Sequence, residues 1–576
     1  MIKNVQIRQY RFIPLKFRQK KTIVFTFSDC SLQKFSSESF FDETSEKKSR
    51  NYSVFLSTRL LPFFDGAKAV FSIVFLPFLP FFLSLHEEEF CYAKNMDVIA
   101  FIKQISLLLY IVVVATTMVV VMMENRQPMK TVAWLMILMF LPVVGMVLYF
   151  FFGQNIRKER YINRHRLQPF LRPRLRKGSK GEARQEIVPQ QHARIMQLFA
   201  NQDDALPVAD NEVETYTCGN EFFPALLQAI REARHHVHLC TYIFLDDALG
   251  QQVADALMAK AREGVEVRVI YDDVGSWRVS SSFFRRMQDA GVEVHAFMPV
   301  HFPALTRKIN YRNHRKICVV DGHTGFIGGM NIAQRYMDGT PTMGAWRDTH
   351  LRVKGGCVAT LQRIFFEDLY FVSHTLPDTS AYYPTVVPTA GGASCVAQVV
   401  TSSPTSAWHN IMQGYVRILL EARHYVYMET PYFLPTEPVL VAMRTAALSG
   451  VDVRLMLPYR GDSRIAEWAS RSFLPDVIKA GVKVYLYQGG FLHSKLLVSD
   501  DSICTCGSTN IDFRSFENNF EANIFFYGKD VARRMKHIYL EDEQRSVRIN
   551  HWLRKRRLPF VERFLQSLFR LFSPML

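Results

Sequence analysis

Residues 314–321 read His314-Arg315-Lys316-Ile317-Cys318-Val319-Val320-Asp321, and residues 493–500 read His493-Ser494-Lys495-Leu496-Leu497-Val498-Ser499-Asp500. Both obey one spacing, His-x-Lys-x-x-x-x-Asp. Each continues alike, with Gly328-Gly329-Met330-Asn331 after the first and Gly507-Ser508-Thr509-Asn510 after the second, every position equally far from its counterpart. Outward from the motifs the likeness persists. Glu232-Ala233-Arg234-His235 matches Glu421-Ala422-Arg423-His424, Gly264-Val265-Glu266-Val267-Arg268 matches Gly450-Val451-Asp452-Val453-Arg454, and Ala290-Gly291-Val292 matches Ala480-Gly481-Val482. The chain therefore holds two copies of one domain. In each, an amphipathic helical stretch (223–233, 411–422) precedes a β-rich run, then another helix and another strand, which predicts an α/β fold with a mixed or mainly parallel sheet. A duplicated domain of this kind commonly holds one active site between its copies.

The apolar run after each lysine predicts a strand, on which side chains two apart share a face, so His314 projects with Lys316 and His493 with Lys495. Asp321 and Asp500 stand an odd number of positions from their histidines. They complete the motif, but their spacing assigns them to structure rather than proton transfer. The remaining pattern suits a phosphodiester, whose negative charge repels nucleophiles and whose cleavage needs cations on its oxygens, a nucleophile and an acid on the leaving oxygen. Lys316 and Lys495, aided by Asn331 and Asn510, supply the first. One neutral imidazole can attack phosphorus and a second, protonated one can donate to the leaving alkoxide, and an unperturbed pKa of about 6.5 permits either role near neutrality. His235, His236 and His238 lie in an alternating run and read as ordinary strand positions. The pair Cys504 and Cys506 lacks metal-like spacing and reads as structural. No metal or nucleotide motif is present, and no cofactor is expected.

Hydrophobic residues form 48% of the 576-residue chain and charged residues 21%, which excludes general disorder. The 70 Lys plus Arg exceed the 53 Asp plus Glu, a net +17 that calls for a polyanionic partner. Basic residues cluster in 157–180, just after the apolar segments, and in 545–557, places that suit anionic lipid head groups. Residues 105–123 and 131–152 are each apolar for long enough to cross a hydrocarbon core of ~30 Å, so residues 96–155 are expected to form a transmembrane hairpin. The arginines after it would mark the cytoplasmic side and place the rest of the chain there. The nine scattered cysteines fit a reducing compartment. Residues 1–95 match nothing else in the chain, and Met96 is expected to be the true start. The remaining boundaries follow as a basic linker 156–212, a first copy 213–375, a second copy 396–545 and a basic amphipathic segment 546–576. In that last segment Phe560, Val561, Phe564, Leu565, Leu568, Phe569 and Phe572 recur at helical spacing, which suits a helix lying in a membrane interface and equally one packed on the domain.

The paired motifs resemble those of the phospholipase D superfamily. Residues 126–134, 346–350, 429–435, 490–495 and 512–516 are similar to bacterial cardiolipin synthases, a likeness covering about residues 97–576. It implies two phospholipase D-like α/β domains sharing one pseudo-twofold site. It implies transfer of a phosphatidyl group between two phosphatidylglycerols with release of glycerol, through a phosphohistidine, without a metal, at the cytoplasmic face of the inner membrane. It further implies that an acid downstream of each motif, Asp348 and Glu521, orients that motif's histidine, and that His314 attacks while His493 serves as acid and base. Hydrolytic phospholipase D or phosphatidylserine synthase activity uses the same groups and differs in excluding water. A nuclease would also suit the basic charge, but no aromatic and basic nucleic-acid motif accompanies it, and no nucleic-acid partner is expected. The oligomeric state is left open.

Overall fold

The computed structural model describes residues 98–123, 128–149, 190–300, 310–384, 395–549 and 559–576, all within one compact unit, Pro80–Leu576. The expectations for the extension 1–95 and for the arginine cluster 157–180 lie outside the described residues.

At the N-terminal side, α1 (Val98–Met123) contains Gln104–Met123, the one helix among the described residues long and apolar enough to cross a membrane. The second apolar run departs from expectation. It forms α2 (Pro128–Phe140) and α3 (Pro142–Leu148), broken at Leu141 (φ −134°, ψ 64°) because the following Pro142 excludes the helical conformation from the residue before it. The two pieces double back: the rings of Trp134 and Tyr149 meet at 5.4 Å, and a Cβ on Gly145 would stand 3.0 Å from the carbonyl oxygen of Ile137. Thirteen residues of α2 extend ~20 Å, short of a full crossing. Among the described residues the expected hairpin region thus shows one helix of spanning length followed by a folded-back pair.

The catalytic part is a continuous sheet of fifteen strands. The first copy supplies β1 (Val208–Tyr216), β2 (His236–Thr241), β3 (Glu266–Asp272), β4 (Glu293–Phe297), β5 (Ile317–Val320), β6 (Thr324–Gly328) and β7 (His350–Lys354). The second supplies β8 (Cys395–Ser402), β9 (Tyr425–Glu429), β10 (Asp452–Pro458), β11 (Lys483–Tyr487), β12 (Leu496–Ser499), β13 (Ile503–Gly507) and β14 (Glu521–Tyr527), with β15 (Ser546–Arg548) added at the edge. From edge to edge the order is β15-β11-β10-β9-β12-β13-β14-β8-β1-β7-β6-β5-β2-β3-β4. β15 apart, the second half repeats the first in reverse about the antiparallel β8–β1 junction, which is the signature of a pseudo-twofold axis. Only β2–β3–β4 and β9–β10–β11 pair in parallel. The sheet is mixed rather than mainly parallel, since each motif strand turns straight back through a short hairpin, β5 to β6 and β12 to β13.

Helices α4 (Ala193–Asp203), α5 (Gly219–Glu232), α6 (Gly356–Ser373), α7 (Asn410–Glu421), α8 (Arg464–Ala480) and α9 (Lys529–Gln544) cover the sheet. One apolar core runs under both copies and includes Leu361 and Ile364 of α6, Val319, Val498, and Met535 and Tyr539 of α9. The segment expected as linker is structured from Gln190 onward: Ile195, Met196 and Phe199 of α4 pack with Val400, Ile411 and Tyr415 of the second copy, and β1 begins at Val208 instead of 213. Near the C-terminus α10 (Phe560–Leu571) packs on α8, with Phe569 stacked on Trp468 at 5.5 Å and Arg570 paired to Asp476 at 3.0 Å.

Candidate active site

Strand polarity gathers the motifs at one edge of the sheet. β5 and β12 begin there, beside the ends of β2 and β9, because Ile317 pairs with Cys240 and Leu496 with Glu429. His314 and Lys316 occupy the extended residues leading into β5, and His493 and Lys495 those leading into β12.

Short backbone bridges then tie each motif to the opposite copy. Asn313 bridges Phe520, and the His314 N–H donates to the Phe520 carbonyl at 2.9 Å. Leu492 pairs with Arg347, and the His493 N–H donates to the Arg347 carbonyl at 2.7 Å. The residue after each acceptor is an acid. His314 Nδ1 consequently lies 3.0 and 3.2 Å from the two carboxylate oxygens of Glu521, and His493 Nδ1 lies 2.6 Å from Asp348 Oδ2. The acids therefore cross over: Asp348 of the first copy holds the second copy's histidine, and Glu521 of the second holds the first's. The expectation that each acid serves its own motif is corrected, because the bridges join the copies rather than closing within one.

These groups are buried, and burial dominates their titration. It pushes His314 below the ordinary histidine value against the opposing pull of Glu521, and pushes His493 down to about 3 with the help of the Lys495 ammonium, Asp348 opposing. Burial thus favours the neutral form of both imidazoles. Burial also brings Lys316 down to about 7 and lowers Lys495, with Glu521 and Asp348 respectively as the main opposing charges. Burial works against ionisation of Asp348 and Glu521, but the neighbouring cationic side chains prevail and hold both carboxyls below their usual range. Lys316 Nζ donates to the His314 carbonyl at 2.6 Å, and Lys495 Nζ lies 2.8 Å from His493 Nδ1 and also donates to the His493 carbonyl. The Thr349 and Ser494 hydroxyls meet at 2.8 Å between the copies, and the charges of Lys495 and Lys316 each reach the opposite motif's histidine, which sets the two motifs side by side.

Asp321 and Asp500 sit elsewhere. Asp321 accepts the backbone N–H groups of Arg234, His235 and His236 at 2.9, 2.8 and 3.0 Å, and Asp500 those of Arg423, His424 and Tyr425 at 2.7, 2.9 and 2.8 Å. Each pins the turn that launches β2 or β9, at the edge of the sheet remote from the histidines. Asn331 accepts from the Ile243 N–H at 3.2 Å and donates to the Tyr336 hydroxyl at 2.8 Å. The Oδ1 of Asn510 is buried and makes no hydrogen bond among the described residues. His236 and His238 are buried in a network through Gln362, at 3.0 and 2.7 Å. Cys504 and Cys506 are buried free thiols.

Four neighbours escaped the sequence reading. Tyr242 packs its ring 4.9 Å from that of His314, with Lys316 Nζ 5.2 Å from the same ring. Trp346 and Tyr336 stand 5.5 and 6.0 Å from the His493 ring. The Ser508 hydroxyl donates to Glu521. Its counterpart Gly329 has no room for more, since a Cβ there would stand 2.0 Å from Asp348 Oδ1. The repeat carries no signal for Tyr242, since Pro431 stands in its place between the matching Thr430 and Phe433.

Comparison with known proteins finds clear relatives of this chain. The family described as "Cardiolipin synthase, PLD-like domain" matches residues 226–346 and 415–542, and that described as "Phospholipase_D-nuclease N-terminal" matches 108–154. The chain is 40% identical to a cardiolipin synthase of Alkalihalophilus pseudofirmus over 461 residues, 79% of this chain and 90% of that protein. It is 40% identical to cardiolipin synthase 2 of Bacillus cereus over 458 residues, 79% of this chain and 88% of that protein. Among solved structures, phosphatidylserine synthase of Haemophilus influenzae superposes with a TM-score of 0.52 at 14% identity, over 66% of this chain and 100% of that one, a likeness of fold.

Proposed function

The chain belongs to the cardiolipin synthase family of the phospholipase D superfamily, and on that premise we propose how its two copies carry out phosphatidyl transfer. The enzyme is a phosphatidyltransferase that forms cardiolipin from phosphatidylglycerol. The observation that carries the mechanism is the crossed pairing of His314 with Glu521 and His493 with Asp348 around two buried lysines.

With Nδ1 of His314 occupied by Glu521, its Nε2 is the free nucleophile. It attacks the phosphorus of one phosphatidylglycerol, a P–N bond forms and the P–O bond to the head-group glycerol breaks. His493 gives its proton to that departing oxygen, so glycerol leaves neutral. A hydroxyl of a second phosphatidylglycerol then surrenders its proton to His493 and attacks phosphorus, the P–N bond breaks, and cardiolipin forms with both histidines restored. The positive charge on phosphorylated His314 sits against Glu521, and that on protonated His493 against Asp348. Lys316 and Lys495 face the non-bridging oxygens, and the phosphodiester's charge opposes the burial that lowers their pKa values. Asn331 and Asn510 support the same region. Burial and the Lys495 ammonium favour neutral His493, and a bound phosphodiester, by offsetting the cationic neighbours, favours the protonated form that donates to the leaving oxygen.

Phosphatidylglycerol as sole substrate should yield cardiolipin and glycerol in equal amounts; phosphatidic acid as the main product would instead establish hydrolysis. The order of the histidines is tested with a phosphatidyl p-nitrophenol, whose leaving group needs no acid. His493→Gln should still release a burst of nitrophenol and retain phosphate on residue 314, whereas His314→Gln should release none. The reverse pattern would exchange the roles.

The membrane anchor is α1, and both catalytic copies lie on the cytoplasmic side, supported by the basic residues that follow the apolar segments. A membrane-impermeant label that reaches the catalytic copies in intact cells would overturn that orientation.

A further inference from the structure

Among the described residues outside α1–α3, six aromatic side chains are exposed: Trp277, Trp408, Tyr459, Phe560, Phe564 and Phe572. Three belong to loops at the edge that carries the histidines. Trp277, 75% exposed, follows the end of β3; Trp408, 57% exposed, follows the end of β8; and Tyr459 follows the end of β10. The β3 and β8 ends adjoin the catalytic groups directly, since Asp272 accepts the Asn313 N–H at 2.9 Å and Ser402 pairs with Glu521. Exposed tryptophan is costly in water and favoured where one side of a ring can enter acyl chains while the other stays hydrated.

The C-terminal helix joins this edge. Its packed stripe, Gln566, Phe569 and Ser573, leaves Phe560, Val561, Phe564, Leu571 and Phe572 on the opposite face, exposed. Glu562 and Gln566 also line a cavity of about 650 Å³ whose other walls include Pro431, Tyr432, Tyr459 and Arg460. Tyr432 follows β9, whose last residue Glu429 pairs with Leu496 next to Lys495, so this wall of the cavity stands at the same end of the sheet as the site. Four of the six exposed rings have a basic neighbour in sequence: Arg278 beside Trp277, His409 beside Trp408, Arg460 beside Tyr459 and Arg563 before Phe564. The nearby acids are engaged internally, Asp273 by the Val300 N–H at 2.8 Å, Asp462 by the Tyr432 hydroxyl at 2.7 Å and Glu467 by Arg471.

We propose that this edge is a second membrane contact, in which Trp277, Trp408, Tyr459 and the apolar face of α10 enter the interface of an anionic bilayer and present lipid to the site without its leaving the membrane. The inference rests on the cardiolipin synthase reading for its ligand. The bilayer is favoured over a protein partner because the exposed aromatics stand with basic residues at the end of the sheet that holds the site, whose substrate is a membrane lipid.

The test uses the full chain in vesicles of phosphatidylglycerol brominated near the head group, with the Trp277→Phe/Trp408→Phe variant to isolate those two emissions. Their fluorescence should be quenched. In parallel, Trp277→Ser/Trp408→Ser/Phe560→Ser/Phe564→Ser should lose on the order of tenfold or more in rate on vesicle phosphatidylglycerol, while keeping its rate on a short-chain phosphatidylglycerol below its micellar concentration. Unquenched tryptophans, or equal losses on both substrates, would overturn the proposal. Failure of the unaltered enzyme to make cardiolipin from either substrate would sink the catalytic reading instead, leaving the fluorescence to judge the surface.

Discussion

Asp348 and Asp321 show how two carboxylates in one copy serve opposite ends. Asp348 is fully buried against His493 and Lys495, so it both fixes the ring and compensates the proton that the ring must carry. Asp348→Asn removes that compensation without changing shape, and kcat should fall about 10–100-fold or more with little change in KM, read by initial rates of cardiolipin formation. A loss confined to KM would contradict the role. Asp321 instead collects three backbone donors, two of which reach water. Asp321→Ala should cost about 1–2 kcal/mol of stability by chemical denaturation and leave the specific activity of the folded enzyme unaltered. The odd spacing from His314 already announced this division. What the spacing could not announce was the partner of each histidine, because the crossing is set by backbone bridges between residues some 150–200 positions apart, whose pairing leaves no local pattern.

At the level of elements, the duplicated strands and the helices before them were legible because hydrophobic periodicity and repeated Gly-Val-x-Val turns are local. The break in the second apolar run was not legible, since hydropathy counts apolar residues and gives little weight to Pro142, which interrupts the helix at Leu141. The sequence left a mixed and a mainly parallel sheet both open, because two short strands joined by a tight turn look in sequence like one apolar run, and the β5–β6 and β12–β13 hairpins decide for the mixed one. The turn at the end of β6 carries a sharper constraint. Gly329 touches Asp348 so closely that Gly329→Ala must displace the carboxylate or the strand. Its activity should fall at least as far as that of Asp348→Asn, and the paired variant should be no worse than either alone, a non-additivity that a double-mutant cycle measures. Additive losses would show that Gly329 acts by another route.

Across the whole molecule, buried histidines set the response to acid. Burial lowers His236 to about 4, His350 to about 3 and His493 to about 3. Each binds its proton near pH 6.5 in the unfolded chain and only well below that when folded, so between those values the unfolded state holds more protons. The contribution of these histidines is therefore fully present above about pH 6.5 and declines as pH falls, by about 1.4 kcal/mol per pH unit for each such group. The thermal midpoint should drop between pH 7.5 and 5, and His493→Gln should lessen the slope; an unchanged midpoint would refute the linkage. The whole-molecule plan of two copies about one axis was evident from sequence, whereas the continuity of the sheet across β1 and β8 depended on the segment before residue 213, which composition had assigned to a linker.

The exchange of carboxylates between copies also restricts how such a protein can change over time. A histidine supported by the other repeat ties the fate of each half to a sequence it does not contain, so neither repeat can drift into a free-standing catalyst by improving its own residues. Any substitution that alters one acid is felt as a defect in the opposite motif, and lasting divergence between the halves must proceed by compensating pairs.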